Sequence, residues 1–458
     1  MKSKHSFFEK LSLLFITCSL LETAQLAAAE QSTLSSELVA DINTLIDKDE
    51  DRLVKIFKDI HQNPELGFME VRTAGIVAKE LESLGFEVKT GIAETGVAAI
   101  LKNGDGPVLM YRADMDANAA EETTGLPYAS TKRVVNEIGY EVPVAHLCGH
   151  DAHTTWLLAV ARIMVELKEQ WSGTLVLVAQ PAEEKIEGAT AMVNDGLYST
   201  HGIPIPDYLI AAHTLPLATG VVISNPGVMM AGTEQLDVTI YGQSAHGSQP
   251  QFSKDAGLMA AYSVVQFQAI PARVLDPRDA AVVTVGAINA GVEHNTIPGI
   301  AELKLNFRFF DEDVRGQLFN GVKAITEGIA RTYGMPEDKM PTINRNGYSS
   351  ALVNDNDLMM HFAQQLVDLG LVEADSMITE FRPVTGSEDA HMLVDGLDDT
   401  KVGFLGIGTA PPAMAQAAVR EGKEFPFSNH QGTYQVDIDA IPYGAKIVSV
   451  AVLGLLKN

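Results

Sequence analysis

Cysteine is scarce in this sequence: its 458 residues include only Cys18 and Cys148. This scarcity excludes a disulfide framework of the kind that holds small exported domains together. Cys18 lies in an N-terminal apolar stretch, so a processed chain would keep Cys148 as its single thiol. A buried inert side chain, a metal ligand and a nucleophile all remain open as explanations of that thiol.

Positive charge is also in short supply, with 33 Lys and Arg against 59 Asp and Glu and a formal charge of −26. Such a charge repels phosphate backbones and anionic lipid headgroups, so we expect neither a nucleic-acid partner nor a membrane partner. The acidic residues are scattered, and their main effect is then solubility. No segment of the mature chain reaches the roughly 20 uncharged residues that a membrane span needs.

The N-terminus differs from the rest of the chain. Three lysines within the first ten residues precede an apolar stretch from Leu11 to Leu21, and alanines 27 to 29 supply a small-residue cleavage site. This pattern is typical of a signal peptide, which we place at residues 1–29. We therefore expect a soluble mature protein that is periplasmic or secreted.

The length exceeds that of one ordinary domain, which runs to about 100–200 residues, so a second domain is expected. From Leu38 to Pro226 helical and strand patterns alternate, which predicts an α/β domain with a mostly parallel sheet flanked by helices. Asp151 is expected to cap a helix from Ala152 to Glu169. Short apolar runs predict the strands Gly96–Leu101, Val108–Arg112, Thr174–Ala179 and Tyr208–Ala212.

A different order begins near Gly232, where the pattern reads strand, helix, strand, strand, helix, strand. That order is typical of a ferredoxin-like α+β domain. The α/β character returns afterwards and ends with a helix from about Ile438 to Leu456. We therefore predict a discontinuous catalytic domain of residues 30–231 and 349–458, with residues 232–348 inserted as a lid.

Residue types that bind metals follow the predicted strands directly, where the ligands of open α/β sheets are found. Cys148 and His150 precede a predicted helix, and a thiolate and an imidazole from one short loop are both good ligands for zinc-like ions. The other candidates lie just after strands or before the last helix: Asp114, Asp116, Glu183, Glu184, His213 and His430.

Each of these residues also has a structural explanation. Asp114 and Asp116 can fix a turn, and His213 alone would be an ordinary structural histidine. The pair Glu183 and Glu184 can be a solvated loop, but carboxylates directly after a buried strand are costly unless paired, which favours a functional role. The convergence of all candidates on one sheet edge favours a metal site.

Five segments resemble the marker segments of a known family. It is the metallo-amidohydrolase family of hippurate hydrolase, indoleacetyl-amino-acid hydrolases and carboxypeptidase G relatives. The segments are His61-Gln-Asn-Pro-Glu-Leu-Gly-Phe, Arg112-Ala-Asp-Met-Asp-Ala, His146-Leu-Cys-Gly-His-Asp-Ala-His, Gln180-Pro-Ala-Glu-Glu and Gly386-Ser-Glu-Asp.

The resemblance implies two divalent metal ions, either zinc, manganese or cobalt, with Glu183 as the general base. Asp114, Asp116 and Asp151 would contact the metal-binding side chains and orient them without binding the ions themselves. The implied ligands are Cys148, His150, Glu184, His213 and His430.

The inserted domain resembles the dimerisation domain of the same family, which implies a homodimer. Its loop around His246 implies a histidine that reaches the partner's active site and polarises the scissile carbonyl. Asn295 and Arg308 are candidates for binding a substrate carboxylate, since the planar guanidinium suits that anion. The sequence departs from the family pattern at two places. Asn118-Ala119 replaces the usual leucine-proline, and Gln251 replaces a second histidine, but neither change affects the implied metal ligands.

These observations predict an exported dinuclear metal amidohydrolase that cleaves N-acyl amino acids or similar small amides bearing a carboxylate. A metal-dependent exopeptidase or dipeptidase acting on short peptides is the alternative. A thiol hydrolase using Cys148 and a non-catalytic binding protein are weaker alternatives. A lid on a discontinuous domain also implies hinges, which we place at Gly227–Gly232 and Gly347–Ser350.

Overall fold

The computed structural model describes residues 34–457, so the predicted signal peptide of residues 1–29 lies outside the described residues. The strands within that range form an eight-stranded sheet, a four-stranded sheet and three two-stranded pairs. The large sheet with its helices and the smaller sheet with its own helices confirm the predicted fold class. The exact domain limits stay a prediction.

The large sheet is mixed rather than uniformly parallel. Its four central strands run parallel to one another. The two strands beyond them on one side pair antiparallel, and a tight turn joins these two strands to each other. Across the sheet the strands are Glu87–Ile92, Gly96–Asn103, Gly173–Gln180, Val108–Asp114, Tyr208–Ala218, Lys401–Ala410, Val222–Ile223 and Met377–Ile378. All four predicted apolar runs are strands, because central strands are covered on both faces.

Helices cover both faces of this sheet, and side chains alternate between them along each strand. Leu109 and Tyr111 point into one apolar cluster, which includes the first and last helices. Met110 points into another, against the short helix that carries Ala189. The helices are Ser36–Gln62, Val71–Ser83, His150–Glu166, Gly188–Asn194, Asn356–Asp368, Pro412–Arg420 and Ala440–Leu456.

The predicted cap of the helix after Cys148 is wrong. The helix is His150–Glu166, its N-cap is Gly149 at φ 84°, and Asp151 lies in its first turn. A side chain at position 149 would overlap the hydroxyl of Thr214, so the close approach and the left-handed backbone both require glycine. Asp151 instead lies 2.6 Å from Nδ1 of the buried His61.

The inserted segment forms a separate antiparallel sheet with its own apolar core. Asp255 and Asp311 cap its two long helices by accepting hydrogen bonds from backbone N–H groups of the first turn. The strands in spatial order are Val282–Ala290, Ile300–Phe309, Gly232–Tyr241 and Thr342–Ser349, and the helices are Ala256–Phe267, Ala269–Arg273 and Glu312–Thr332. This spatial order is that of a ferredoxin-like domain.

Short elements complete the described chain. The strands Gly227–Met230 and Leu352–Asn354 pair where the chain enters and leaves the insertion. A second pair joins Ala245–His246 to Thr296–Ile297, and a third is the hairpin of Arg133–Val135 and Glu141–Pro143. No helix between residues 34 and 457 combines the length and apolar character needed to cross a membrane.

We expect Gly444→Ala to destabilise the protein by about 1–3 kcal/mol, the usual cost of overpacking a core. Gly444 is buried in the last helix, and an added Cβ would overlap the ring of the buried Trp156. Thermal and urea unfolding would measure the loss. Gly328→Ala is the matched control: it lies exposed in a helix with no atom within 4 Å of the added Cβ. It should stabilise by up to about 1 kcal/mol, and equal losses in both variants would contradict the packing argument.

Candidate metal centre

The proposed ligands meet at the carboxyl edge of the large sheet. Cys148 Sγ lies 3.5 Å from His213 Nε2, and Glu184 Oε1 lies 3.8 Å from His150 Nε2 and 3.2 Å from His430 Nε2. Four of the five side chains are largely buried, whereas that of His430 is half exposed. The structure therefore brings all five together although 282 positions separate the first from the last (430 − 148).

The five side chains come from different local structures, and His150 is the first residue of its helix. His213 lies inside the strand Tyr208–Ala218, so the prediction that it follows the strand is wrong, since the strand continues beyond residue 212. Glu184 belongs to a short 3-10 turn, Glu183–Lys185, directly after a central strand. His430 sits in a loop with φ 65°, a left-handed backbone that is uncommon outside glycine.

Two of the histidines are held in the way that suits a metal ligand. His213 Nδ1 donates to the carbonyl oxygen of Thr214 at 2.7 Å, and His150 Nδ1 lies 3.2 Å from the carboxylate of Asp116. These contacts fix each ring and leave Nε2 directed at the cluster. His150 Nε2 is buried and has no hydrogen-bond partner among the described residues, a costly state that a bound cation would relieve.

His153 supports the cluster instead of joining it. Its Nδ1 lies 2.6 Å from Asp114, and its Nε2 accepts a hydrogen bond from the backbone N–H of Thr214 at 2.8 Å. Both ring nitrogens are therefore engaged. Burial lowers the pKa of His153 to about 3, which keeps the ring neutral in this position.

The three aspartates expected behind the ligands have different roles. Asp116 contacts His150 and also accepts from the backbone N–H of Glu184 at 3.0 Å. Asp114 lies 3.7 Å from His150 Nε2, so it is close enough to belong to the cluster itself. The Asp151 carboxylate contacts His61 and the N–H of Ala152, and among the contacts described for residues 34–457 it reaches none of the proposed ligands.

A buried arginine connects the cluster to a distant segment. Arg112 is 1% exposed and donates to Asp114 at 2.8 Å and to Glu388 at 2.9 Å. Its Nε donates to Gln180, whose amide in turn donates to Asp389 at 2.6 Å. The sequence patterns alone gave Arg112 and Glu388 no individual role. Two signals could have found them: an arginine inside an otherwise apolar strand and the Gly386-Ser-Glu-Asp segment.

The charges of the site favour bound cations. One buried arginine, Arg112, faces a larger number of buried carboxylates, and an unbalanced buried charge is costly. The fully or nearly fully buried carboxylates of the site are Asp114, Asp116, Glu183, Glu388 and Asp389. Together with a thiol and imidazole nitrogens, they form a mixed set of donors that fits divalent ions of the zinc class.

The thiol of Cys148 is electrostatically prepared for ligation. Burial and the charge of Glu184 oppose its ionisation, but His213 and His150 prevail and lower the pKa of Cys148 to about 6. The thiolate is the form that binds metals. Asn429 also donates its side-chain amide to Sγ at 3.2 Å, which stabilises negative charge on the sulfur.

Glu183 lies beside the ligands without being tied to one of them. Its carboxylate is 3.8 Å from His150 Nε2. Burial raises the pKa of Glu183 well above its ordinary value, and the neighbouring carboxylates of Glu388 and Glu184 raise it further. A buried carboxyl group with a raised pKa can accept and return a proton near neutral pH.

The ligand cluster opens into a cavity of about 460 Å³ that is built by both sheets. Arg308, from a strand of the inserted domain, lines this cavity and donates to Ser387 and, at 3.0 Å, to Asn306. Much of the remaining lining is apolar and includes Leu215 and Phe404. The cavity therefore presents one cationic group and a ligand cluster within otherwise apolar walls, as small-molecule sites commonly do.

His246 and Asn295 do not line this cavity. Both side chains are exposed, and both residues lie at the paired strands Ala245–His246 and Thr296–Ile297, where Gly247 N–H donates to the carbonyl of Asn295. Of the two residues expected to bind a carboxylate, the structure thus brings only Arg308 to the ligand cluster.

Comparison with known proteins agrees with this geometry. Residues 110–421 match the model of peptidase family M20/M25/M40. The chain is 37% identical over 337 residues to hippurate hydrolase of Campylobacter jejuni, covering 73% of this chain and 83% of that protein. It is 32% identical over 416 residues to IAA-amino acid hydrolase ILR1-like 4 of Arabidopsis thaliana, covering 89% and 86%.

Solved structures show the same architecture. A crystal structure from methicillin resistant Staphylococcus aureus matches with a TM-score of 0.75 at 27% identity, covering 91% of this chain and 99% of that one. The YXEP protein of Bacillus subtilis, a dinuclear metal binding peptidase, matches with a TM-score of 0.67 at 24% identity over 90% and 99%. The family resemblance of the sequence is thereby confirmed: the chain belongs to peptidase family M20/M25/M40 and is a metal-dependent amidohydrolase.

Proposed function

We propose that this chain is an exported enzyme that uses two divalent metal ions to hydrolyse the amide bond of N-acyl amino acids or similar carboxylate-bearing amides. One observation carries the proposal: a single cavity joins the ligand cluster around Cys148 and His213 to Glu183 and to the cationic Arg308. Export rests on the charged and apolar pattern of residues 1–29.

The five proposed ligands would hold zinc, manganese or cobalt. When bound, such ions lower the pKa of water and polarise a carbonyl group, which is the chemistry that amide hydrolysis needs. The residues that would hold them are Cys148, His150, Glu184, His213 and His430. Asp114 and Asp116 would keep the rings of His153 and His150 in place.

Glu183 is the proposed general base. It lines the cavity and lies next to the ligand Glu184 in the same short turn. From that position its carboxylate can take a proton from the attacking water and deliver it to the nitrogen of the leaving amine. The same burial that raises its pKa strengthens its affinity for that proton.

Arg308 is the proposed partner of the substrate carboxylate. Its guanidinium lines the cavity, and burial lowers its pKa without removing its charge, because an arginine in a protein stays protonated. A partly buried guanidinium can donate two parallel, charge-assisted hydrogen bonds to a carboxylate, and these are stronger than neutral hydrogen bonds. The names of the relatives, hippurate hydrolase and IAA-amino acid hydrolase, also denote amides of amino acids.

A homodimer would give His246 and Asn295 a role that the single chain does not. Both are exposed on the inserted domain, where a second copy could receive them at its own cavity. Exposed apolar side chains on that domain, including Tyr262, Val265 and Ile288, suit such an interface. In that arrangement His246 would donate to the carbonyl oxygen of the amide.

A metal-dependent exopeptidase is the second candidate, because a carboxylate site at Arg308 would serve the C-terminus of a short peptide equally well. The relative kcat/KM values for N-acyl amino acids and for dipeptides separate the two candidates. A thiol hydrolase is the third candidate. Cys148 lies next to His213, as a nucleophilic thiol lies next to the base that activates it.

Removal of metal by a chelator should abolish hydrolysis of N-benzoylglycine, and zinc, manganese or cobalt should restore it. His213→Asn should lower the metal content of the purified protein, because it removes one ligand of the cluster. His201→Asn is the control, since His201 pairs with Asp195 at the surface and should keep full metal content. Activity that resists chelation but is lost on thiol alkylation would favour the thiol hydrolase instead.

Glu183→Gln should lower kcat by about 10²–10⁴-fold, the usual contribution of a general base. Metal content should stay near that of the unaltered protein, because Glu183 is not one of the five proposed ligands. Steady-state kinetics and elemental analysis of the same preparation check both points. Glu187→Gln, a nearby carboxylate outside the cavity, should keep its activity. An active Glu183→Gln variant would remove Glu183 from the mechanism.

Arg308→Met should raise KM for N-benzoylglycine by about 10–100-fold, which is the scale of one charge-assisted hydrogen bond. The effect should vanish with N-benzoylglycinamide, whose carboxylate is replaced by a neutral amide. Kinetics of both compounds on both proteins measure the difference. Equal losses for the two compounds would mean that Arg308 supports the cavity without binding the carboxylate.

A further inference from the structure

A second cavity, of about 350 Å³, lies beside the ligand cluster and has no role in the mechanism derived above. Glu184 lines this cavity as well as the one that contains Arg308, so the two spaces meet at a proposed metal ligand. Asp116, which supports His150, is a further link between the second cavity and the cluster. Its apolar lining comes from three loops and consists of Leu66, Met69, Ala117, Ala119 and Ile138.

One wall of the second cavity is the tip of the hairpin formed by Arg133–Val135 and Glu141–Pro143. Its strands have only three residues each, and so short a hairpin is marginally stable unless something holds it. An ion pair between Glu137 at its tip and Lys185 supplies such a tie. Since Lys185 follows Glu184 in the same turn, the hairpin is connected directly to the metal cluster.

The hairpin exposes apolar surface where it faces the cavity. Ile138, at the tip, is 76% exposed although it lines the cavity. A large aliphatic side chain held in water beside a cleft gains free energy when an apolar group covers it. The hairpin is thus arranged to cover a ligand in the cavity.

The charges around the second cavity determine which part of a substrate it can accept. Glu137 and Lys185 neutralise each other. The other charged lining residues, Asp116 and Glu184, are acidic, so the lining of this cavity offers no unpaired cation to a substrate carboxylate. The carboxylate end of an N-acyl amino acid therefore belongs with Arg308 in the first cavity. An amide bond positioned at the metal cluster then leaves the acyl group next to the second cavity.

We propose that the second cavity binds the apolar acyl group of the substrate and that Ile138 covers it. This inference rests on the proposed amidohydrolase function and adds the acyl specificity of the same site. Asn118-Ala119, the departure from the usual leucine-proline, lines this cavity. Because its lining is largely apolar and has room for more than a methyl group, the cavity should select larger aromatic or aliphatic acyl groups over acetyl.

Two variants with opposite changes in shape test the proposal. Ala119→Phe fills the cavity, and Ile138→Ala removes its cover. Each should lower kcat/KM for N-benzoylglycine by about 10-fold, the discrimination that an apolar pocket commonly provides, and change that for N-acetylglycine by less than about 2-fold. Ile205→Ala is the matched control, because Ile205 is 58% exposed and lines neither cavity.

A second set of test compounds distinguishes an effect on binding of the acyl group from an effect on binding of the amino acid. A series of N-acetyl amino acids with larger side chains should respond to Ala119→Phe no more than N-acetylglycine does. Equal losses for benzoyl and acetyl compounds, or a change confined to the amino-acid series, would overturn the assignment of the cavity to the acyl group.

A binding measurement distinguishes failure of this inference from failure of the proposed function. Metal-loaded protein carrying Glu183→Gln can be titrated calorimetrically with N-benzoylglycine, and Ala119→Phe in that background should weaken binding about 10-fold. If the unaltered enzyme turns over the substrate but both variants keep its acyl preference, the assignment of the second cavity to the acyl group is wrong and the proposed function stands. If the unaltered enzyme shows no turnover but Ala119→Phe still weakens binding of N-benzoylglycine, the proposed reaction is wrong and the acyl site stands.

Discussion

The constraint on which the site depends is an excess of buried negative charge around one arginine. Arg112 reaches Asp114, Glu388 and Asp389 from a central strand, whereas the further buried carboxylates of the site, Asp116 and Glu183, lie beside the imidazole of His150. Additional positive charge lowers the cost of burying so many carboxylates together. Bound metal ions would supply that charge, so the buried carboxylates that make up the site would also favour the binding of the ions used in the reaction.

The two sheets contribute different groups to the same cavity. The large sheet contributes the ligand cluster, because the carboxyl ends of its parallel strands meet along one edge. The inserted domain contributes Arg308, which approaches that edge from a strand of its own sheet and donates to Ser387. If the proposed carboxylate site at Arg308 is correct, a substrate held there with its amide at the ligand cluster would have a fixed direction across the cavity.

Local patterns predicted the elements well where burial alone decides them. The runs at Val108–Arg112 and Thr174–Ala179 are central strands because strands covered on both faces need continuous apolar sequence. Local patterns gave the wrong prediction where a side chain contacts a residue that is distant in the sequence. Asp151 has the right chemistry for a helix cap, but it pairs with His61 across 90 positions of sequence, and Gly149 starts the helix instead.

The sequence by itself determined which residue types exist to bind metal, the alternation of helix and strand, and the inserted second domain, since these follow from composition and short-range periodicity. Only the tertiary structure decided which of those residues meet. It joined Arg112 to Glu388 across 276 positions, placed Arg308 in the cavity and left Asn295 and His246 outside it. Contacts between distant side chains depend on how whole layers pack, and no local pattern in one chain encodes that.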